Sequence, residues 1–325
     1  MKRLIYRLVI ERYMSSDSPI DIVGLRKEYS QFVAVNNLHL SIKKNSFTGF
    51  LGPNGAGKST TLKILTHLTI ATAGEVYLEG VDVAKDPKEA LSGVGTVVET
   101  PEFYTYLTPV ETMRYIGEIL GMSHEAIKSE TSMILEMVKM TEWADKRIGT
   151  FSKGMRQRIA LGQALMNSPR IIILDEPTSG LDPRGMAETR EILKNLRNEN
   201  SLTIMMSSHL LYEVSDLCDR VAMINHGTLL VHDDIDKIMK EGDTRRILAK
   251  INGVPSQDLM NRISTLKNVI SAERFGNEIE IGFTGDADAR AKLFSDLGIL
   301  NAGIYGLSEV DTLETSYLNL IAESR

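Results

Sequence analysis

The chain has 325 residues, of which 42% are hydrophobic and 25% charged, and its formal net charge is −6. This length and composition fit one large or two ordinary globular domains, and they exclude a disordered, a collagen-like and a disulfide-scaffold protein. An acidic balance also argues against a domain that binds nucleic acid through a basic surface.

The first 14 residues, MKRLIYRLVIERYM, mix apolar side chains with charges. Three alternatives stay open for them: a cationic amphipathic helix on a membrane surface, a frayed leader, or a start upstream of a true first residue at Met14. Because charges interrupt the apolar run and no small-residue cleavage site follows, a secretory signal is not expected. Residues 1–19 are assigned to an N-terminal extension.

From Ile20 onward, short apolar runs alternate with helical patterns, which predicts an α/β domain over residues 20–240 with a largely parallel sheet. The runs FTGFLG, GTVV, IIILD, TIMMSS and VAMI are predicted strands. Two other stretches, IDIVGLRKEYS and GEVYLEGVDV, alternate polar and apolar residues and carry turn residues. They predict an antiparallel flank beside the main sheet. None of these runs reaches the roughly 18 uninterrupted apolar residues of a membrane-spanning helix.

A purely helical stretch interrupts this alternation over about residues 105–167. Apolar residues recur there at helical spacing, first after Pro109 and again in SETSMILEMVKM. We therefore expect a helical subdomain inserted within the α/β domain.

Residues 241–325 predict a second, smaller domain. The patterns follow the order strand, helix, strand, strand, helix, strand, with a closing helix at TLETSYLNLIAES. That order is typical of a ferredoxin-like α+β module. Such modules regulate by binding small ligands or brace dimers, and the absence of an obvious ligand motif in the sequence favours bracing.

A glycine-rich segment, FLGPNGAGKSTTLKIL, contains the pattern G-x-x-x-x-G-K-[ST] between a predicted strand and a helical pattern. Its glycines let backbone N–H groups and the start of the helix face phosphate oxygens. Lys58 is placed to reach the β and γ phosphates, and the Ser59 hydroxyl is placed to bind Mg²⁺. The segment predicts a nucleoside triphosphate site.

Two carboxylates follow the apolar strand of IIILDEPTSGLD, at the edge where ligands collect in open α/β sheets. Asp175 can contribute to a metal shell, and Glu176 is placed to polarise a water for attack on the γ-phosphate. Another predicted strand, TIMMSSH, ends at His209.

In this order, the motifs from Ile20 to Val231 resemble those of the nucleotide-binding ATPase of ABC transporters. The resemblance implies the P-loop NTPase fold of that family, with ATP and Mg²⁺ as ligands. It implies that Glu176 and His209 act in catalysis. The implied Mg²⁺ ligands are Ser59, Asp175 and Glu99. The implied nucleotide contacts are an adenine-stacking Tyr29, the Walker A residues Gly52, Pro53, Asn54, Gly55, Ala56, Gly57, Lys58, Ser59 and Thr60, the signature residues Ser152, Lys153, Gly154 and Met155, and the D-loop residue Asp182.

In that family, two ATPase subunits close head to tail, and the signature of one completes the ATP site of the other. The resemblance therefore implies a second ATPase subunit, with a homodimer expected, and a separate transmembrane permease contacted around Glu99–Thr108. It implies an exporter of drugs, antibiotic peptides or lipids, with this subunit cytoplasmic and peripheral on the inner face of the cell membrane. Nucleic acid is not an expected partner.

Two departures from the family pattern stand out. The signature, usually LSGGQ, is FSKGM here, so that Lys153 and Met155 replace Gly and Gln. Glu99 stands where a Q-loop glutamine is common, and a carboxylate is also a hard oxygen ligand for Mg²⁺. Both departures resemble the branch of bacitracin and lantibiotic exporter ATPases.

An ABC ATPase not coupled to transport is the alternative, either in iron–sulfur assembly or acting on nucleic acid. Nucleic-acid ATPases of this type carry a long coiled coil between Walker A and signature, and too few residues separate Lys58 from Ser152 for one. A P-loop GTPase is not favoured, because the sequence lacks an N-K-x-D element.

Overall fold

A computed structural model describes residues 18–198, 202–241, 245–285, 287–300 and 303–310. The alternatives for the first 14 residues and the predicted closing helix at residues 312–324 lie outside these ranges. The chain forms two compact units that meet in sequence between Asp233 and Asp234. Within the described ranges, no helix has the length and apolar character that a membrane span requires.

In the described residues, the first unit contains two sheets. Its strands are β1 (Ile20–Tyr29), β2 (Phe32–Ile42), β3 (Phe47–Leu51), β4 (Ala73–Leu78), β5 (Val81–Asp82), β6 (Val94–Val97), β7 (Ile171–Asp175), β8 (Thr203–Ser208), β9 (Arg220–Asn225) and β10 (Thr228–Asp234). One sheet has the order β10-β9-β3-β8-β7-β6, in which β9, β3, β8, β7 and β6 are parallel. The other, β2-β1-β4-β5, is antiparallel. The predicted parallel sheet and antiparallel flank are confirmed.

The central parallel strands are buried along their whole length, as β3 and β8 show. Apolar runs such as those of β3 and β7 suit this position, because a parallel sheet is covered on both faces. Side chains of both sheets meet in one apolar core that includes Leu25, Phe50, Leu62 and Ile173. This core fixes the carboxyl ends of β3, β7 and β8 side by side, where the candidate site lies.

The helices of this unit are α1 (Lys58–Leu65), α2 (Pro87–Ala90), α3 (Pro109–Ile119), α4 (His124–Met137), α5 (Lys153–Leu165), α6 (Pro183–Arg197) and α7 (Leu211–Leu217). Helices α3 to α5 all lie between β6 and β7, which confirms the inserted helical subdomain. The start of α3 is set by a capping box: Thr108 Oγ1 accepts from Glu111 N at 3.2 Å, and the Glu111 carboxylate accepts from Thr108 N at 2.8 Å.

Within its described residues, the second unit has four antiparallel strands and three helices. These elements are α8 (Ile235–Glu241), β11 (Arg245–Ile251), α9 (Gln257–Ser264), β12 (Val269–Phe275), β13 (Glu278–Phe283), α10 (Ala287–Ile299) and β14 (Ile304–Val310). The sheet order is β12-β13-β11-β14, and the apolar core includes Ile247, Ile263, Ile281 and Leu297. This is the strand order of a ferredoxin-like module, as predicted from the sequence.

A buried carboxyl group lies in the antiparallel sheet of the first unit. Asp21 is 2% exposed, and its Oδ1 accepts a hydrogen bond from Ser41 Oγ at 2.5 Å on the neighbouring strand. Burial raises the pKa of Asp21 to about 6, and the hydrogen bond from Ser41 opposes that rise. The charged form of this carboxylate is therefore destabilised in the folded protein.

Asp21→Asn should remove a pH dependence from the stability of the fold. Because the folded pKa of about 6 exceeds the ordinary value of 3.8, the contribution of Asp21 is fully present below 3.8 and is lost as the pH rises through 6. About two pKa units correspond to roughly 3 kcal/mol of unfolding free energy. Urea unfolding at pH 4.5 and pH 7.5 measures the free energy of unfolding of both proteins. The value for the variant should rise relative to that of the wild type between the lower and the higher pH. An equal difference in unfolding free energy at the two pH values contradicts this assignment.

Candidate functional site

The glycine-rich loop joins β3 to α1 at the carboxyl end of a central parallel strand. Gly57 caps α1 with a left-handed φ of 103°, and a Cβ there would lie 2.3 Å from the Ala34 carbonyl oxygen. A Cβ at Gly52 would lie 2.4 Å from the Ile224 carbonyl oxygen. Packing therefore excludes a side chain at both positions. The first N–H groups of α1 have no partner within the helix, so they are available to a ligand at this loop.

The other predicted residues are Pro53, Asn54, Gly55 and Ala56, which follow Gly52 in the loop, and Thr60, which lies in the first turn of α1. Ala56 is buried, and its N–H donates to the Pro53 carbonyl at 3.1 Å. Gly227 N–H in turn donates to the Ala56 carbonyl at 2.9 Å, which braces the loop against the turn after β9.

Lys58 is a buried cation at the start of α1. Its Nζ donates to the carbonyls of Gly52 at 2.7 Å and Pro53 at 3.1 Å, and it lies 3.7 Å from Glu176 Oε1. Burial lowers the pKa of Lys58, while the nearby carboxylates of Glu176 and Asp175 raise it. The loop thus places a poorly solvated ammonium group beside two acidic side chains.

Ser59 and Asp175 come together although they are distant in sequence. Ser59 Oγ donates to Asp175 Oδ1 at 3.2 Å, and Ser207 Oγ donates to the same oxygen at 2.5 Å. Hydroxyl and carboxylate oxygens are donors that Mg²⁺ prefers, so this pair fits a magnesium ion. The described part of the chain has no cluster of three or more His, Cys, Asp and Glu, so phosphate oxygens and water would complete such a shell.

Glu176 and His209 are also adjacent, since they follow the neighbouring strands β7 and β8. His209 Nδ1 lies 3.1 Å from Glu176 Oε1, without the alignment of a hydrogen bond. The Glu176 backbone has a left-handed φ of 44°, and its N–H donates to Ser207 Oγ at 2.9 Å. Ser207 was not predicted from the sequence, because its position opposite Asp175 follows from the sheet register, which only the structure shows.

Glu99 follows β6 with a left-handed φ of 72°, and its carboxylate pairs with the ammonium of Lys63 on α1. This contact raises the pKa of Lys63. Glu99 also lines a polar cavity of about 310 Å³. The cavity is shared with Ser59, Pro101, Lys153, Gln157, Asp175, Glu176 and Ser179.

The signature residues lie at the start of α5. Ser152 caps the helix, and its Oγ accepts from Met155 N at 3.2 Å. Gly154 packs against α6, where an added Cβ would lie 3.2 Å from Gly185 Cα. Lys153 Nζ donates to the Ser179 carbonyl at 3.0 Å in the same chain. Of the three residues that depart from the family pattern, Glu99 and Lys153 line the same cavity, and Met155 lines a different one.

The D-loop and the predicted adenine contact lie at exposed positions. Asp182 caps α6, accepting from Gly185 N at 3.3 Å. It lines a second cavity of about 210 Å³ with Ser152, Gly154 and Met155. Tyr29 ends β1 with 45% exposure, and Lys27 Nζ lies 4.8 Å from its ring centre.

Comparisons with known proteins find similar sequences. The family profile described as "ABC transporter" matches residues 35–179. The chain is 38% identical to the bacitracin transport ATP-binding protein of Bacillus licheniformis over 221 residues, which cover 68% of this chain and 71% of that protein. It is 31% identical to the linearmycin resistance ATP-binding protein of Bacillus subtilis, over 91% of this chain and 96% of that protein.

A solved structure extends the likeness. A dimeric ATP-binding cassette in a post-hydrolysis state, bound to ADP and Pi, matches with a TM-score of 0.60 and 26% identity. The match covers 66% of this chain and 98% of that one.

Proposed function

Because the chain belongs to the ABC transporter ATP-binding family and is an ATPase of that family, we propose that it powers a separate transmembrane permease that exports antibiotic peptides, drugs or lipids. Named relatives in bacitracin transport and linearmycin resistance support this class of exporter over an ABC ATPase unconnected with transport. A subunit of this kind binds to the cytoplasmic face of the cell membrane through its permease.

The observation that carries this proposal is the convergence of three separate segments at one sheet edge. Lys58 lies 3.7 Å from Glu176, which lies 3.1 Å from His209, and Ser59 contacts Asp175. In the proposal, Tyr29 stacks on adenine, while the loop from Gly52 to Thr60 surrounds the phosphates with N–H groups and the Lys58 ammonium.

Ser59 and Asp175 are the proposed protein ligands of Mg²⁺, with Glu99 at the same cavity. Bound there, Mg²⁺ would neutralise phosphate charge that develops in the reaction. Glu176 polarises the attacking water, and His209 contacts the γ-phosphate from the neighbouring strand end.

Half of each ATP site comes from a second copy of the chain in this proposal. Ser152 and the start of α5 offer a hydroxyl and helix N–H groups that the same chain's glycine-rich loop does not use. Gly154, Met155 and Asp182 line the cavity next to Ser152 and belong to this half-site. Lys153 contributes a cation, although its ammonium contacts the Ser179 carbonyl of its own chain.

Contact with the permease is assigned to Glu99–Thr108 and the start of the helical subdomain. Tyr104 and Tyr106 are 55% and 64% exposed there. The ring of Tyr104 lies 5.8 Å from that of Tyr106 and 5.9 Å from that of Tyr115. A solvent-facing aromatic cluster of this kind is typical of the centre of a protein interface.

The proposal is tested by isolating the tagged full-length chain from detergent-solubilised membranes of its own host. An integral membrane protein should co-purify, and its reconstitution with the chain should change the rate of ATP hydrolysis. A Tyr104→Ala, Tyr106→Ala variant should lose the membrane protein while keeping its own ATPase activity. An active ATPase that recovers no membrane protein, or whose rate is insensitive to it, contradicts coupling to transport.

Glu99→Gln should weaken the binding of the Mg²⁺ that supports hydrolysis. The change keeps the side-chain shape but removes a negative charge from the cavity that holds Ser59 and Asp175. We expect the half-saturating Mg²⁺ concentration to rise by roughly 10-fold. Glu102→Gln, an exposed position on the same loop, is the matched control. An unchanged Mg²⁺ titration for Glu99→Gln argues that Glu99 serves only as the partner of Lys63.

A further inference from the structure

Helix α7 carries a buried carboxylate that no sequence motif indicated. Glu213 is 2% exposed, and both of its oxygens accept hydrogen bonds from hydroxyl groups. Thr178 Oγ1 donates to Oε1 in a short contact, and Ser208 Oγ donates to Oε2 at 2.8 Å. Both hydroxyl residues are themselves buried, at 1% and 2% exposure.

The two hydroxyl groups come from the loops that carry the proposed catalytic pair. Thr178 stands two residues after Glu176, beyond the end of β7, and Ser208 directly precedes His209 at the end of β8. A single carboxylate therefore joins both strand ends through side-chain bonds. The two loops leave adjacent parallel strands, where the sheet fixes their starting points but not their conformations.

Glu176 has a backbone conformation that needs such support. Its left-handed φ of 44° is unfavourable for a residue with a Cβ, and strained backbones persist where the surroundings over-determine them. Ser207 supports Glu176 at its N–H, and Thr178 anchors the loop two residues further on. The Ser208 hydroxyl also accepts from Leu210 N at 2.9 Å, which fixes the turn that contains His209.

We propose that Glu213 is a positioning residue that sets Glu176 against His209 for ATP hydrolysis. The inference rests on the proposed function of those two side chains. Glu213 touches neither substrate nor metal; it acts by holding both loops to one rigid helix. Charge-assisted hydrogen bonds from buried hydroxyl groups are suited to this, because they are strong and leave few alternative partners.

A role in attaching α7 alone does not account for the bridge, because other contacts already dock this helix on α6. Asp216 pairs with Arg190 at 2.5 Å and with Lys194 at 2.6 Å. Arg190 also lies 5.4 Å from the ring centre of Tyr212. These contacts lie one turn from Glu213 or beside it, and they involve neither strand-end loop.

The test compares Glu213→Gln and Thr178→Val with Asp216→Asn in the full chain. Gln leaves one acceptor for two hydroxyl groups, and Val removes one hydroxyl at nearly constant shape. We expect kcat to fall roughly 10- to 100-fold in both variants, with the Kd for a fluorescent ATP analogue within about twofold of wild type. Asp216→Asn should keep both constants, because it touches only α6.

Two further measurements separate positioning from folding. Thermal unfolding identifies any variant that is not folded at the assay temperature. Adding Glu213→Gln to a Glu176→Gln background should cause no further loss of rate, because Glu213 acts through the same pair. The proposal is overturned if folded Glu213→Gln and Thr178→Val keep wild-type kcat, or if kcat and ATP affinity fall together. If the wild type itself does not hydrolyse ATP, the proposed function fails instead.

Discussion

Glu176→Gln should lower the rate of ATP hydrolysis by about 1,000-fold while ATP stays bound. Glutamine has the shape of glutamate but cannot polarise water as a carboxylate does. The nucleotide-binding loop does not depend on this charge, since Lys58 also donates to the Gly52 and Pro53 carbonyls. Single-turnover hydrolysis of radiolabelled ATP, together with a filter-binding Kd, measures both quantities.

Glu191→Gln provides the matched control for this variant. Glu191 is an exposed glutamate of α6 that pairs with Lys139, away from the strand ends. The Glu191→Gln variant should hydrolyse ATP at the wild-type rate. A Glu176→Gln protein that hydrolyses as fast as this control would contradict the assignment of Glu176 as the group that activates water.

Lys58→Ala should weaken ATP binding about 10- to 100-fold, because it removes a charge-assisted donor to the phosphates of ATP. Lys58 is 5% exposed and its ammonium is held by the carbonyls of its own loop, so little reorganisation is needed to reach a phosphate. Isothermal titration with a slowly hydrolysed ATP analogue gives the change in Kd.

Lys44→Ala is the control for Lys58→Ala, because Lys44 is an exposed lysine in the turn between β2 and β3. It should bind ATP like the wild type. A folded Lys58→Ala protein that binds ATP with wild-type affinity would contradict a role for Lys58 in binding the phosphates.

Much of the fold follows from local patterns. The apolar runs of β3, β7 and β8 predict buried parallel strands, because only a sheet covered on both faces tolerates them. β2 was not predicted, and its pairing with β1 has register shifts between Ile22 and Leu25 and again near Lys27. Such irregular pairing blurs the alternation on which a sequence-based prediction depends.

The candidate site was predictable where one short segment carries its own chemistry. Lys58, Ser59, Asp175, Glu176 and His209 belong to such segments, and the structure brings them together. Ser207, Lys63 and Glu213 were not predicted, because serine, lysine and glutamate are common residues whose meaning here comes from a partner distant in sequence. Tertiary packing creates those pairs, and one sequence without its fold does not reveal them.

Lys153 shows the same limit. Its sequence position suggests a cation for the phosphate of a second subunit, whereas its ammonium contacts the Ser179 carbonyl of its own chain. The contact with Ser179 is observed, and the contact with a phosphate across a dimer stays a prediction.

In the proposed mechanism, ATP joins two copies of this chain through sites that each copy completes for the other. Light scattering on Glu176→Gln measures this most directly, because bound ATP persists in that variant. With ATP and Mg²⁺, the measured mass should be that of two chains, and it should return to that of one chain with ADP or after adding a Ser152→Arg substitution that blocks the signature. A mass that is independent of ATP, or a dimer that survives Ser152→Arg, would contradict the account.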